Sequence, residues 1–268
     1  MLVQLNDHEM NLVRRGDSTG LPIIFIHGFP FSHAMWEPQL SVLPPSYNAI
    51  AYDIRGHGRS AVGDGLYTIE LFVDDLLALM DYLELEQAVA CGLSMGGYIA
   101  LRAIERHPER FNGLILADTR SVADNDEARI NRAGVIKSVM TKGVEAFAAD
   151  FVKLVFAPQS LTARLEQVEF IKQIICTTDP RAIGGTLLAL AARTDTTNAL
   201  PKIDVPTLLM VGEHDALTSP SASEHMAGFI PGAEFHVIPE AGHLSNLENA
   251  PVFNRHLLDY LGKLEQVK

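Results

Sequence analysis

Six apolar runs, each about as long as a β-strand, recur along the chain at residues 22–28, 48–56, 88–94, 113–119, 206–215 and 234–242, with helical stretches between them. Their apolar positions are continuous rather than alternating, as in strands buried on both faces. Strands of that kind alternating with helices predict a mostly parallel sheet covered on both sides. Ahead of the first run, residues 1–5 and 9–14 flank the polar link Asn6-Asp7-His8. A link this short turns a hairpin and places an antiparallel pair at the N-terminal edge of the sheet.

The helices follow from caps and periodicity. Thr68 precedes the stretch 69–84, in which Leu71, Leu76, Leu79, Met80 and Leu83 fall near one stripe. A second helix starts after Ser94 and ends at Pro108. Between Asp118 and Val205 the strand pattern stops, and four helical segments replace it, at 124–141, 143–156, 160–175 and 179–192. The expected organisation is therefore one α/β core, residues 1–120 and 197–268, carrying a helical insertion over 121–196. An insertion between two strands of such a sheet lies over their carboxyl ends, where ligands bind, and is expected to act as a lid.

Composition narrows the function. At 268 residues, 47% hydrophobic and 20% charged, the chain is too apolar to be disordered. Its 21 Lys and Arg against 33 Asp and Glu leave a net charge of −12, which gives a phosphate backbone no footing, so nucleic acid is not an expected partner. The two cysteines, Cys91 and Cys176, lie in neither a CxxC motif nor a Cys/His cluster. No metal or cofactor is expected, and the cytoplasm suits the chain best. No apolar run approaches the ~18 residues of a membrane helix, so no membrane role is expected.

The pattern G-x-S-x-G occurs twice. Gly16-Asp17-Ser18-Thr19-Gly20 precedes a strand and reads as a loop, whereas Gly92-Leu93-Ser94-Met95-Gly96 follows a strand and opens a helix. Only the second has the context of a serine held on a sharp strand-to-helix turn, where flanking glycines let the helix fold back. A serine hydroxyl is a poor nucleophile without a general base, and the base needs an acid to fix its tautomer. His243, just past the last strand run, is the expected base. Asp215, at the end of 206–215, is the expected acid, with Asp118 at the end of 113–118 as its competitor. The first strand run ends in His27-Gly28-Phe29-Pro30. The backbone N–H of Phe29, with that of Met95, would supply two donors to an oxygen that becomes negative.

These segments, with Asp53-Ile54-Arg55-Gly56-His57-Gly58-Arg59-Ser60, Gly212-Glu213-His214-Asp215 and Gly242-His243, occur in the order found in the α/β-hydrolases. The chain resembles that superfamily over nearly its whole length, most of all the carboxylesterases and 3-oxoadipate enol-lactonase-like hydrolases. The resemblance implies hydrolysis of a small-molecule ester, a helical cap, and a structural role for 53–60. Dehalogenases and epoxide hydrolases of this fold carry aspartate where this chain has Ser94, and the haloperoxidase-like esterases carry Trp where it has Phe29. Small-molecule binding without turnover, known for some members, is the remote alternative.

The insertion carries Val135, Ile136, Val139, Met140, Phe147, Phe151, Leu154, Val155 and Phe156, some of which are expected to face the site and suit short-chain or aryl esters. An enol-lactone substrate carries a carboxylate and would need a cation, for which Arg120, Arg129, Arg132, Lys137 and Lys142 are candidates. Arg120 is nearest in sequence to the site, and a salt bridge tying the insertion to the core is its expected role.

Overall fold

A computed structural model describes residues 1–266. Its strands are β1 (Leu2–Leu5), β2 (His8–Gly16), β3 (Pro22–Ile26), β4 (Asn48–Tyr52), β5 (Ala88–Leu93), β6 (Phe111–Ala117), β7 (Thr207–Gly212) and β8 (Glu234–Ile238). They form one sheet in the order β1-β2-β4-β3-β5-β6-β7-β8. β2 runs antiparallel to both β1 and β4, and every other pairing is parallel. The hairpin link is shorter than the sequence suggested: His8 already pairs with Leu5, so Asn6, at φ 51°, and Asp7 make the turn.

Each position of β4, β5 and β7 is buried, which is why their apolar residues run on without alternating. Strand order reverses direction around β3, since the chain passes from β3 to β4 on one side and from β5 to β6 on the other. The loops leaving β3 and β5 therefore open a crevice between them at the carboxyl edge of the sheet.

The helices are α1 (Glu37–Leu40), α2 (Ile69–Tyr82), α3 (Met95–Arg106), α4 (Asp126–Lys142), α5 (Val144–Val155), α6 (Ser160–Ala163), α7 (Leu165–Cys176), α8 (Pro180–Ala191), α9 (Pro220–Phe229), α10 (Ser245–Glu248) and α11 (Ala250–Gln266). Thr68 caps α2 by accepting from Leu71 N–H at 3.0 Å. Ile69, Phe72, Val73, Leu76, Leu79 and Met80 are the apolar residues that α2 buries, together with Asp75, so its inward stripe is displaced from Leu71 and Leu83.

Helices α4 to α8 all lie between β6 and β7. The segment expected at 160–175 is broken at Arg164, whose φ of −128° and ψ of 45° leave the helical region, and so gives the single turn α6 and the longer α7. The chain enters and leaves this insertion through a narrow neck. Thr196 N–H donates to Ser121 O at 3.1 Å, and Ala123 N–H to Asp195 Oδ2 at 3.0 Å. Arg193 reaches across to Asp124 Oδ1 at 2.7 Å and to Val122 O at 2.8 Å, with its guanidinium 4.4 Å over the Tyr98 ring. Both members of the Arg193–Asp124 pair are buried, and removing one partner of such a pair costs about 3–5 kcal/mol.

Candidate active site

Ser94 sits between β5 and α3 at φ 53° and ψ −112°, a conformation that costs a non-glycine residue about 1–3 kcal/mol. The surroundings hold it there: Ser94 N–H donates to Ala117 O at 2.9 Å, and Ser94 O accepts from Thr119 Oγ1 at 2.8 Å. The flanking glycines are obligatory. A Cβ at Gly92 would lie 2.3 Å from Gly96 O, and one at Gly96 would lie 2.1 Å from Ile26 O. Ser18, in the other G-x-S-x-G segment, is exposed in the turn between β2 and β3.

His243 lies in the loop after β8, and Asp215 in the loop after β7. Their Nδ1 and Oδ2 atoms are 2.8 Å apart. The carboxylate is aimed by its own loop, since Oδ1 accepts from Leu217 N–H at 2.8 Å and Thr218 N–H at 2.9 Å, while Oδ2 accepts from Thr218 Oγ1 at 2.6 Å. With Nδ1–H given to Asp215, Nε2 keeps its lone pair and can take a proton. Burial opposes a charge on His243, but the facing carboxylates, Asp215 foremost and then Asp118 and Glu248, outweigh it and raise its pKa. Burial likewise works against ionised Asp215, and the bonds from His243 and Thr218 reverse that and lower its pKa.

Asp118, the competitor for the acid, makes no bond to His243. Its oxygens accept from Gly212 N–H at 2.8 Å and pair with Ser245 Oγ at 2.5 Å. Burial, and then the charge of Asp215, push its pKa well above the usual carboxylate range. The pKa values of two neighbouring carboxyl groups are thus driven in opposite directions, Asp215 down against the histidine and Asp118 up.

The β3 loop is fixed by His27, whose Nε2 accepts from Ile54 N–H at 2.9 Å and whose Nδ1–H donates to Gly28 O at 2.8 Å. Burial, followed by the neighbouring His57, pushes its pKa down to about 3, which favours the neutral ring that these two bonds require. Among the described residues, neither Phe29 N–H nor Met95 N–H donates to a protein acceptor. Segment 53–60 is built into the scaffold: Asp53 accepts from His33, Asn11 and Arg59, and Arg55 is forked onto Asp75 at 2.9 and 2.7 Å.

Phe29, Met95, Ser94 and His243 line one side of a cavity of about 430 Å³, and the inserted helices line the other. Of the apolar residues picked out in the insertion, Val135, Phe147, Phe151 and Leu154 line it. Val139, Val155 and Phe156 are instead packed inside the insertion or its junction, and Met140 is exposed. Leu187 and Leu190 of α8 also line it, a contribution the sequence reading missed because that helix is apolar around most of its circumference.

The cavity is more charged than an apolar lid would make it. Arg120, Arg132 and Lys142 line it, whereas Arg129 and Lys137 do not. Arg120 Nη2 lies 3.1 Å from Asp124 Oδ1, Arg132 Nε is bonded to Asp124 Oδ2, and Arg193 shares the same carboxylate. One aspartate therefore serves three guanidinium groups, and the buried Arg120 Nε has no partner. The convergence has no sequence signature, because Asp124 and Arg193 are 69 residues apart.

Among the described residues, no group of three or more His, Cys, Asp and Glu side chains is placed to hold a metal ion, and no helix is long and apolar enough to cross a membrane.

Comparison with known proteins finds hydrolases of the same fold. The chain is 29% identical over 248 residues to 3-oxoadipate enol-lactonase 2 of Acinetobacter baylyi, covering 92% of this chain and 91% of that protein. A malate-bound thermophilic esterase from Thermogutta terrifontis superposes with a TM-score of 0.94 at 35% identity, over 98% of this chain and 99% of the other. The enol-lactonase from Burkholderia xenovorans LB400 superposes with a TM-score of 0.91 at 29% identity, over 98% of this chain and all of the other. The model of the alpha/beta hydrolase family matches residues 23–255, and the chain belongs to that family.

Proposed function

We propose that the protein is a serine hydrolase of carboxylic esters, working through an acyl-enzyme. The observation that carries this reading is the 2.8 Å His243–Asp215 pair opening onto the same cavity as the strained Ser94. Ser94 Oγ attacks the ester carbonyl and His243 Nε2 takes its proton. Asp215 steadies the imidazolium, and the N–H groups of Phe29 and Met95 receive the oxyanion. His243 then returns the proton to the departing alcohol. A water activated by the same imidazole releases the acid and frees Ser94. Residues 121–196 serve as the lid, and their apolar lining, Phe147 and Phe151 above all, accommodates a short-chain or aryl group. Two cysteines that form no disulfide suit a reducing compartment, so we place the protein in the cytoplasm.

A lactone is an internal ester, and a second reading, hydrolysis of an enol-lactone bearing a carboxylate, is favoured by Arg120, which lines the cavity and whose buried Nε has no partner. Two similar proteins are enol-lactonases, and the similar esterase binds malate, a dicarboxylate. Turnover of a panel of chromogenic esters and 3-oxoadipate enol-lactone by the wild type decides between the readings. Higher kcat/KM on neutral esters supports the first and preference for the lactone the second. No turnover of any of them, with binding retained, would point to a non-catalytic binding protein.

A further inference from the structure

Glu248 has no place in the proposed chemistry, yet it is fully buried at the end of α10, five residues beyond His243. A carboxylate is costly to bury, and this one faces no cation. Each of its oxygens instead accepts a backbone N–H from a different part of the molecule. Oε1 takes Gly242 N–H, in the histidine loop, at 2.8 Å, and Oε2 takes Ala157 N–H, just past α5, at 2.8 Å. Beside this pair, His243 N–H donates to Val155 O, the last residue of α5, at 2.9 Å. The two segments also touch directly, since a Cβ on Gly242 would stand 2.5 Å from Ala157 N. Helix α5 supplies Phe147 and Phe151 to the cavity wall.

We infer that Glu248 is a positioning residue, a two-pronged clamp that fixes the substrate-facing helix α5 to the loop carrying His243. The inference rests on the ester-hydrolase reading for its kinetic effect only. A glutamine at this position has one acceptor oxygen, and its NH₂ would face the second N–H, so half of the clamp is lost. It also removes one of the carboxyl groups that, after Asp215, favour the protonated form of His243. Ordinary packing would predict neither effect. An aspartate keeps the charge but falls one methylene short of bridging both amides.

The test compares wild type, Glu248→Gln and Glu248→Asp. In Glu248→Gln, kcat is expected to fall about tenfold with KM changing less, amide exchange over 152–157 and at Gly242 to quicken, and the His243 imidazole, followed by NMR, to titrate about half a pH unit lower. Glu248→Asp is expected to lose kcat and protection at Ala157 while His243 titrates as in wild type. Unchanged exchange at Ala157 and Gly242 in a folded variant would overturn the clamp. If Glu248→Gln fails to fold, unaltered kcat and exchange in Glu248→Asp overturn it equally. Exchange and titration need no substrate, so they decide the clamp even if wild type hydrolyses no ester, an outcome that refutes the proposed function alone.

Discussion

The strand ends of the core and the helices inserted between β6 and β7 face each other across one cavity, but they are built on different principles. On the core side, each group is tied to backbone: Ser94 to Ala117 of the adjacent strand, Asp215 to Leu217 and Thr218 of its own loop, and His27 of the β3 loop to Ile54 and Gly28. On the inserted side, the polar groups are held by one another, three arginines around Asp124. Backbone anchoring fixes atoms to within tenths of an ångström, which bond-making requires. Side-chain clusters can be rearranged by single substitutions, as suits the part of a site that selects among substrates. Removing Ser94, Asp215 or His243 should therefore cost turnover itself, and changes on the inserted side should redirect it.

The largest effect belongs to Ser94. Ser94→Ala is expected to lower ester hydrolysis by about 10⁵-fold while melting like the wild type, because the acyl-enzyme cannot form. A serine-directed phosphonate should label Ser94 and leave the exposed Ser18 unmodified. Labelling of Ser18, or surviving turnover in the variant, would remove Ser94 from the chemistry.

Asp215 and Asp118 sharpen the comparison within the core, for they end adjacent strands. Asp215→Asn is expected to cost about 10³–10⁴-fold in kcat, as the imidazole loses its fixed tautomer. Asp118→Asn should cost less than about tenfold. The amide can keep both contacts, its oxygen accepting from Gly212 N–H and its NH₂ donating to Ser245 Oγ. The reverse order of losses, measured as kcat on one ester, would move the acid to Asp118.

A smaller effect lies in the pH profile. The pKa of His243 is raised above 6.5, since its facing carboxylates outweigh burial. A general base works only when unprotonated, so kcat/KM should fall as pH drops through that raised value. In Asp215→Asn the residual activity should persist to lower pH, because the group that most favours the imidazolium is gone. An acid limb at or below 6.5 in the wild type would contradict this electrostatic reading.

The two sides also differed in how far the sequence revealed them. Strand ends are legible because a buried parallel strand is a continuous apolar run, and whatever polar residue ends it stands at the edge where ligands bind. Ser94, Asp215 and His243 were all picked out in that way, and each follows a strand in the fold; the antiparallel edge was read with an error of one residue at His8. The inserted helices carry no such punctuation. Helix α4 buries only Val139 among its seventeen residues, so periodicity could not tell the cavity-facing Val135 from the exposed Met140. Glu248 was invisible for a different reason. Its partners are backbone amides at 157 and 242, and no residue type at either position advertises them.

The smallest expected effect tests the inserted side directly. Arg120 lines the cavity, already spends one nitrogen on Asp124, and has a buried Nε without a partner. A substrate carboxylate meeting its guanidinium would gain a charge-assisted bond, whereas a neutral ester would leave it as it is. Methionine keeps the apolar stem and removes the charge. Asp124 retains Arg132 and Arg193, so the neck should survive. If the lid's apolar face dominates selection, Arg120→Met should change kcat/KM for neutral short-chain esters by less than about threefold, since small changes in such a pocket discriminate by only ~1–3 kcal/mol. Wild type should then also prefer those esters to 3-oxoadipate enol-lactone. If the cation dominates, wild type should prefer the lactone, and Arg120→Met should lose that preference by about 10–100-fold while neutral-ester turnover persists. That second pattern would replace the neutral-ester assignment with the lactone one and leave every core residue in its role.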